Sequence, residues 1–368
     1  MKKLSIVFGI LIGAALVLTQ FRYAPATLQE QITTSRETAI TQAIQKVSPA
    51  VVGVNVTKIR RYTSGPFNDP FFEYFFGRQY EKVPSVGSGF IVSEDGFIYT
   101  NYHVVEGADE IVITTAGGER HDAEIIGLDR VTDLALLKID VNNALSADLG
   151  NSDDVIIGEW VVALGNPFGL FDVSFQPTAT AGIVSGVDMD FGMQEGKNYQ
   201  DMIQTDASIN SGNSGGPLVN ADGEVIGINT FIFTGGGYSQ GSVGVGFAIP
   251  INRVVQIMAE LKEKGEINWR FTTGFTYQEI DRDLARALNL PINGGLLIKS
   301  VERGEPAARA GLKVGDVIIE AEGVPIRSEQ DIRRIVEQNY LHVGDALNLV
   351  VWRRGEKIEI ELTLGADS

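Results

Sequence analysis

Cysteine is absent from all 368 residues. That excludes thiol nucleophiles, disulfide frameworks, thiolate zinc sites and Cys-ligated iron–sulfur clusters together. Histidine is nearly as scarce: the three present, His103, His121 and His342, are too scattered for a recognisable ligand spacing, so no metal is expected. Positive charge is the third shortage. Against 47 Asp+Glu stand 30 Lys+Arg, a formal charge of -17, which repels nucleic-acid phosphates and anionic lipid over most of the surface. No nucleic-acid partner is expected. Nucleotide signatures are missing too, since Gly196-Lys197 lacks the following Ser/Thr and glycine spacing of a phosphate loop, and no Gly-x-Gly-x-x-Gly follows a strand. The expected cofactor list is empty.

What is present describes a folded body. Hydrophobic residues at 44% and charged residues at 21% sit near the averages of soluble globular proteins and exclude a wholly disordered or multi-span membrane chain. The length exceeds the ~250–300 residues at which one core stops growing, so two or more domains are expected. At the N-terminus, Lys2 and Lys3 precede an apolar run from Leu4 to Leu18 broken only by Ser5, Gly9 and Gly13, the layout of an export signal. Ala24-Pro25-Ala26 offers a cleavage pattern, while counting on to Phe21 gives a length borderline for a spanning helix. Residues 1–26 are therefore a signal peptide or an inner-membrane anchor, and both place the body in the periplasm or cell envelope.

Ser35 can cap a short helix carrying Ile40, Ala43, Ile44 and Val47 on one face. From Val51 to Ile249 short β-branched runs, among them Glu110–Thr114, Leu134–Ile139 and Trp160–Leu164, alternate with Gly, Asp and Asn clusters, an all-β pattern. The segment Arg60–Ser85 reads as a loop rich in aromatics (Phe67, Phe71, Phe72, Phe75, Phe76), either an interface with a partner subunit or substrate or a self-packed loop. Asp188-Met189-Asp190-Phe191-Gly192 begins like a calcium loop, but Tyr199 stands where a bidentate Glu is needed, and the stretch reads as a solvated loop. Pro250 opens a helix with Ile251, Val254, Val255, Met258 and Leu261 at helical spacing, ended by Gly265. Beyond it the pattern turns to mixed strands and a helix at Glu329–Gln338. The domains read as 36–265 and 270–364.

Gly212-Asn213-Ser214-Gly215-Gly216-Pro217 places a serine among glycines, where the backbone can turn sharply and aim N–H groups at one point, as a nucleophile facing a developing oxyanion requires. Such a turn alone is an ordinary loop. His103 just after one strand and Asp133 just before another supply partners. The order His103, Asp133, Ser214 on a β-rich background suits two-barrel serine proteases, in which the acid orients the histidine and the histidine takes the serine proton; α/β-hydrolases run serine, acid, histidine.

Thr100–Val105, Asp133–Leu137, Gly165-Asn166-Pro167-Phe168-Gly169, Gln204-Thr205-Asp206-Ala207, Gly212–Pro217 and Gly246-Phe247-Ala248-Ile249-Pro250 together resemble the HtrA/Deg serine protease family, over about residues 36–364. The resemblance implies a trypsin-like two-β-barrel protease domain followed by one small α+β PDZ-like domain. It also implies ATP-independent endopeptidase action on unfolded or damaged proteins of the bacterial envelope, in homotrimers or larger trimer-based assemblies. Carried over, His103 is the base, Asp133 its orienter, Ser214 the nucleophile, and the N–H groups of Gly212 and Ser214 form the oxyanion hole. A chaperone or peptide-sensing protein, with proteolysis minor or limited to one regulatory substrate, is the rival reading.

Ser208, six before the nucleophile, leaves the specificity pocket neutral, with Ile209 and the strand Thr230-Phe231-Ile232-Phe233 lining it. Cleavage after small or medium aliphatic residues follows. In the PDZ-like domain, Thr272, Thr273, Gly274 and Phe275 are the candidate carboxylate loop and strand. Ile332, Ile335 and Val336 are either the helix face of a peptide groove or plain core. Phe271 and Thr273 depart from the family's Arg-Gly-aromatic-aliphatic-Gly pattern.

Overall fold

A computed structural model describes residues 36–61, 80–166, 174–210, 212–230, 244–287 and 294–367. Helix α1 (Ala39–Val47) is capped by Thr38, which exchanges side-chain and backbone hydrogen bonds with Thr41. The cap thus falls three residues beyond the expected Ser35, which lies outside the described residues. β1 (Val51–Arg61), β2 (Tyr80–Ile91), β3 (Phe97–Asn101), β4 (Glu110–Thr114), β5 (Arg120–Asp129) and β6 (Leu134–Ile139) close into a barrel in the order β1-β2-β3-β6-β5-β4. The short helix α2 (Tyr102–Val105) follows β3. The expected loop at 60–85 is smaller than read, because β1 and β2 stay paired out to Arg61 opposite Tyr80. The five phenylalanines between them lie outside the described residues.

A second closed barrel uses β7 (Trp160–Gly165), β8 (Thr178–Met189), β11 (Met202–Thr205), β12 (Pro217–Asn220), β13 (Val225–Thr230) and β14 (Gly246–Pro250), ordered β11-β14-β13-β12-β7-β8. Between β8 and β11 stands a separate hairpin, β9 (Gly192–Gln194) with β10 (Lys197–Tyr199). The solvated-loop reading is corrected here. Glu195 and Gly196 both take positive φ, 53° and 83°, the requirement of a two-residue primed turn, and Phe191 packs edge-on against Phe247 at 4.7 Å.

Helix α3 (Ile251–Lys264) buries Ile251, Val254, Ile257, Met258 and Leu261 on one stripe. The stripe joins Phe90, Leu134 and Leu136 of the first barrel and Leu164, Val219 and Ile228 of the second in one apolar cluster. Removing those five side chains from water contributes on the order of 10 kcal/mol before chain entropy is counted. Gly265 ends the helix in the left-handed region at φ 79°, and its carbonyl accepts Leu128 N–H at 3.0 Å from the first barrel. This strap fixes the two barrels against each other.

The remaining unit contains β15 (Phe271–Thr272), β16 (Phe275–Ile280), α4 (Arg282–Ala287), β17 (Gly295–Val301), α5 (Pro306–Ala310), β18 (Val317–Ala321), β19 (Val324–Pro325), α6 (Glu329–Gln338), β20 (Ala346–Arg353), β21 (Glu356–Thr363) and β22 (Gly365–Ala366). Its sheet runs β16-β17-β18-β20-β21, with β19 on β18 and β15 paired to β22. A separate core of Leu296, Ile298, Ile318, Leu349, Val351 and Leu362 holds it. The two bodies meet through Tyr340. Its hydroxyl donates to the Asn198 carbonyl at 3.1 Å and accepts Gln200 N–H at 3.2 Å and Arg253 Nη1 at 2.9 Å.

Candidate active site

Asp133 immediately precedes β6 and is fully buried, with φ 59°, a left-handed conformation that Asp tolerates better than most residues. That backbone turn presents its carbonyl to Tyr102 N–H and Asn101 Nδ2, both at 3.0 Å, which ties it to the end of β3. The carboxylate is met from several sides. Oδ2 lies 2.7 Å from His103 Nδ1, while Oδ1 accepts His103 N–H at 3.1 Å. Thr230 Oγ1 and Tyr199 Oη donate to Oδ2 at 3.3 and 3.4 Å, and Lys197 Nζ to Oδ1 at 2.8 Å. Burial pushes the carboxyl up, but the His103 hydrogen bond and charge together with the Lys197 ammonium outweigh it and hold the group below its ordinary range. An ionised carboxylate only accepts, so His103 carries a proton on Nδ1, and in the neutral ring the lone pair is then on Nε2. Burial first, and the Asp133 charge second, push the Tyr199 phenol up and keep it protonated as a donor.

The Ser214 turn is held against the same strand end. Ser214 is 6% exposed, and its carbonyl accepts Ser88 N–H at 2.9 Å. Gly215 N–H donates to Asn229 O at 2.8 Å. Gly215 sits at φ 85°, and a Cβ there would collide with the Ser88 carbonyl and Thr100 Oγ1. Only glycine lets the turn come so close to β2 and β3. Gly212, at φ 98°, gives its carbonyl to Ser88 Oγ at 2.5 Å, and the same oxygen accepts Asn166 N–H at 2.7 Å. Ser88, fully buried in β2, is a participant the sequence reading missed; its only local signal is a serine between Gly87 and Gly89. Lys197 and Tyr199 were missed because the hairpin that carries them was read as loop.

Other expected positions fall differently. Thr230, expected along the specificity pocket, is buried with its hydroxyl on Asp133. Ile209 is buried in the core of the second barrel against Gly246; Phe231, Ile232 and Phe233 lie outside the described residues. In the smaller domain Ile335 is 3% exposed and part of the core, which corrects its placement on a groove face. Ile332 and Val336 are half-buried and pack on that core, and Tyr277 of β16 hydrogen-bonds Glu329 of α6, so α6 and β16 face one another. Gly274 takes φ 69°, its N–H bonded by Thr272 Oγ1 at 3.2 Å, and the Thr273 carbonyl accepts Ala307 N–H at 2.9 Å. Among the described residues no group of three or more acidic or histidine side chains could hold a metal.

Comparison with known proteins matches this architecture. The trypsin-like peptidase domain profile matches residues 87–228 and the PDZ domain profile residues 297–353. A probable periplasmic serine endoprotease DegP-like of Hahella chejuensis is 40% identical over 341 residues, covering 88% of this chain and 69% of that one. Its namesake from Chlamydia muridarum is 42% identical over 312 residues, covering 81% and 59% respectively. Among solved structures, the HtrA-type protease AlgW with a decapeptide superimposes with a TM-score of 0.64 at 36% identity, covering 89% of this chain and 98% of that one. A serine endoprotease from Yersinia pestis gives 0.57 at 30%, covering 90% and 99%.

Proposed function

Since the chain belongs to the HtrA/Deg family of trypsin-like serine endoproteases with a PDZ domain, we propose that His103, Asp133 and Ser214 are its triad, acting on unfolded or damaged envelope proteins. The buried Asp133–His103 pair at 2.7 Å carries this reading. Asp133 fixes the tautomer, Nε2 takes the Ser214 proton, and Asp133 stabilises the imidazolium that results. The N–H groups of Gly212 and Ser214 receive the oxyanion of the tetrahedral intermediate. No ATP enters these steps, because peptide hydrolysis is downhill and the triad supplies its own acid and base.

The proposed division is a signal peptide or anchor at 1–26, a protease domain at 36–265 and a PDZ-like domain at 270–364. No helix among the described residues is long and apolar enough to cross a membrane, and the relatives are named periplasmic. Exposed Ile156, Ile157 and Trp160, 67%, 61% and 55% accessible, support assembly into a trimer or a larger trimer-based form. The packing of α6 beside β16 supports strand addition of a peptide in the PDZ-like domain. Casein digestion by the chain from residue 27 onward, compared with Ser214→Ala, tests the whole reading. Product termini from mass spectrometry should lie mostly after small or medium aliphatic residues. Digestion by well-folded Ser214→Ala at the wild-type rate removes the assignment.

A further inference from the structure

The hairpin β9–β10 brings a cation to the triad. Its primed turn fixes the register Lys197 opposite Gln194 and Tyr199 opposite Gly192, and alternate residues of a strand share a face. Lys197 and Tyr199 therefore reach the same carboxylate, while Asn198 between them donates from Nδ2 to the Glu337 carbonyl of the PDZ-like domain at 3.1 Å. Two bonds anchor the hairpin beside Asp133: backbone Asn198 N–H to Val131 O at 2.6 Å, and side-chain Arg130 Nη2 to Glu195 O at 3.3 Å. The Lys197 side chain is 18% exposed and Asp133 is at 0%. A lysine so enclosed against a single carboxylate is an expensive arrangement for stability alone, since buried pairs often match or lose to apolar replacements.

We propose that Lys197 is a positioning residue of the triad that shares the Asp133 charge with His103 and thereby sets the lower pH limit of the protease. The inference rests on the triad reading above. Oδ1 faces the ammonium and Oδ2 the imidazole, so the lysine holds the oxygen that the ring does not. It also offsets part of the negative field that draws a proton to Nε2. A free-enzyme imidazole that keeps its proton cannot act as base. With Lys197 present, the enzyme stays competent at lower pH. The other groups facing this cluster are Tyr102 and Glu106 on α2, bonded at 3.2 Å, then Arg130, and Tyr199 and Glu195 on the hairpin.

The test is kcat/KM against pH from 5 to 9 on a peptide substrate, using the exported chain as wild type, Lys197→Met and Lys197→Arg. The acid limb should move up by about one pH unit in Lys197→Met, an opposite charge near a titrating site being worth roughly that much. At pH values below both limbs its activity falls about tenfold relative to wild type, and Lys197→Arg restores the limb. With three histidines in the chain, an NMR titration of the His103 ring reads the same shift without turnover. Coincident limbs for wild type and Lys197→Met overturn the proposal even where the plateau drops, since that is a structural loss. A limb displaced equally in Lys197→Arg overturns it too, because the cation is then not the cause. If Lys197→Met fails to fold, Lys197→Gln carries the comparison. An inactive wild type would instead strike the triad reading itself.

Discussion

At the scale of single residues, Asp133 bears the largest number of contacts the chemistry needs. Replacing it by Asn keeps the shape but lets the amide donate to His103 Nδ1, which forces the wrong tautomer. A kcat loss on the order of 10⁴ is expected, against 10⁵ or more for Ser214→Ala. Its depressed pKa also enters the stability of the fold. A carboxylate held below its ordinary 3.8 contributes stabilisation that is fully present above about pH 5 and is lost as pH falls through the lower folded-state value. The gap in unfolding free energy between wild type and Asp133→Asn should therefore shrink steadily from pH 5 toward pH 2. A gap that stays constant in urea titrations over that range would mean that the carboxyl titrates alike in the folded and unfolded protein. His103, Asp133 and Ser214 could be singled out in the sequence because a serine, histidine and acid in that chain order are rare outside one architecture. The hydroxyl of Thr230 gave no such signal: its residue type fits a pocket wall as well as a donor to a buried acid, and its bond to Asp133 emerges only once the second barrel is closed.

Secondary-structure elements explain why the Ser214 turn is rigid. Ser88 in β2 spans the gap between barrels with one hydroxyl, donating to the Gly212 carbonyl and accepting from Asn166. Ser88→Ala strips both groups of a bond within a buried site, at about 1–3 kcal/mol each. Urea unfolding should register that loss, and kcat should fall by at least tenfold as the Gly212 peptide loosens. Gly215→Ala is harsher, since it adds a collision with β2 and β3 to an unfavourable φ, and a loss above about 3 kcal/mol is expected. Normal stability in either variant contradicts the packing described. Boundaries such as Glu110–Thr114, Leu134–Ile139 and Glu329–Gln338 coincide with the elements observed, because period and caps agree there. The β9–β10 hairpin did not emerge from sequence. Each of its strands has three residues, too short for an alternation to register, and its turn is Glu-Gly rather than the favoured Asn-Gly or Asp-Gly.

For the whole molecule the decisive feature is a joint that no periodicity could reveal, since Tyr340 and Asn198 are 142 positions apart. The Tyr340 ring also lies 4.1 Å beneath the Arg253 guanidinium and edge-on to Trp269, and burial pushes its phenol up to about 12, so it stays a neutral donor. Beside it, His342 Nε2 stands 2.8 Å from Glu260 of α3. Two bodies with separate cores unfold independently unless their contact free energy couples them. Tyr340→Phe keeps the ring and its stacking but deletes one donor and one acceptor. The Asn198 carbonyl, Gln200 N–H and Arg253 are left short of a partner, which should weaken the coupling by about 1–3 kcal/mol. Calorimetry of the chain from residue 27 onward should then resolve two transitions where wild type gives one broad or single envelope, the lower belonging to the PDZ-like domain. Proteolytic nicking near residues 265–270 should rise in step. A single transition that moves as a unit, or does not move, would mean that the domains are joined by something other than this hydroxyl. The aromatic and His342–Glu260 contacts would then be the part of the joint to vary next.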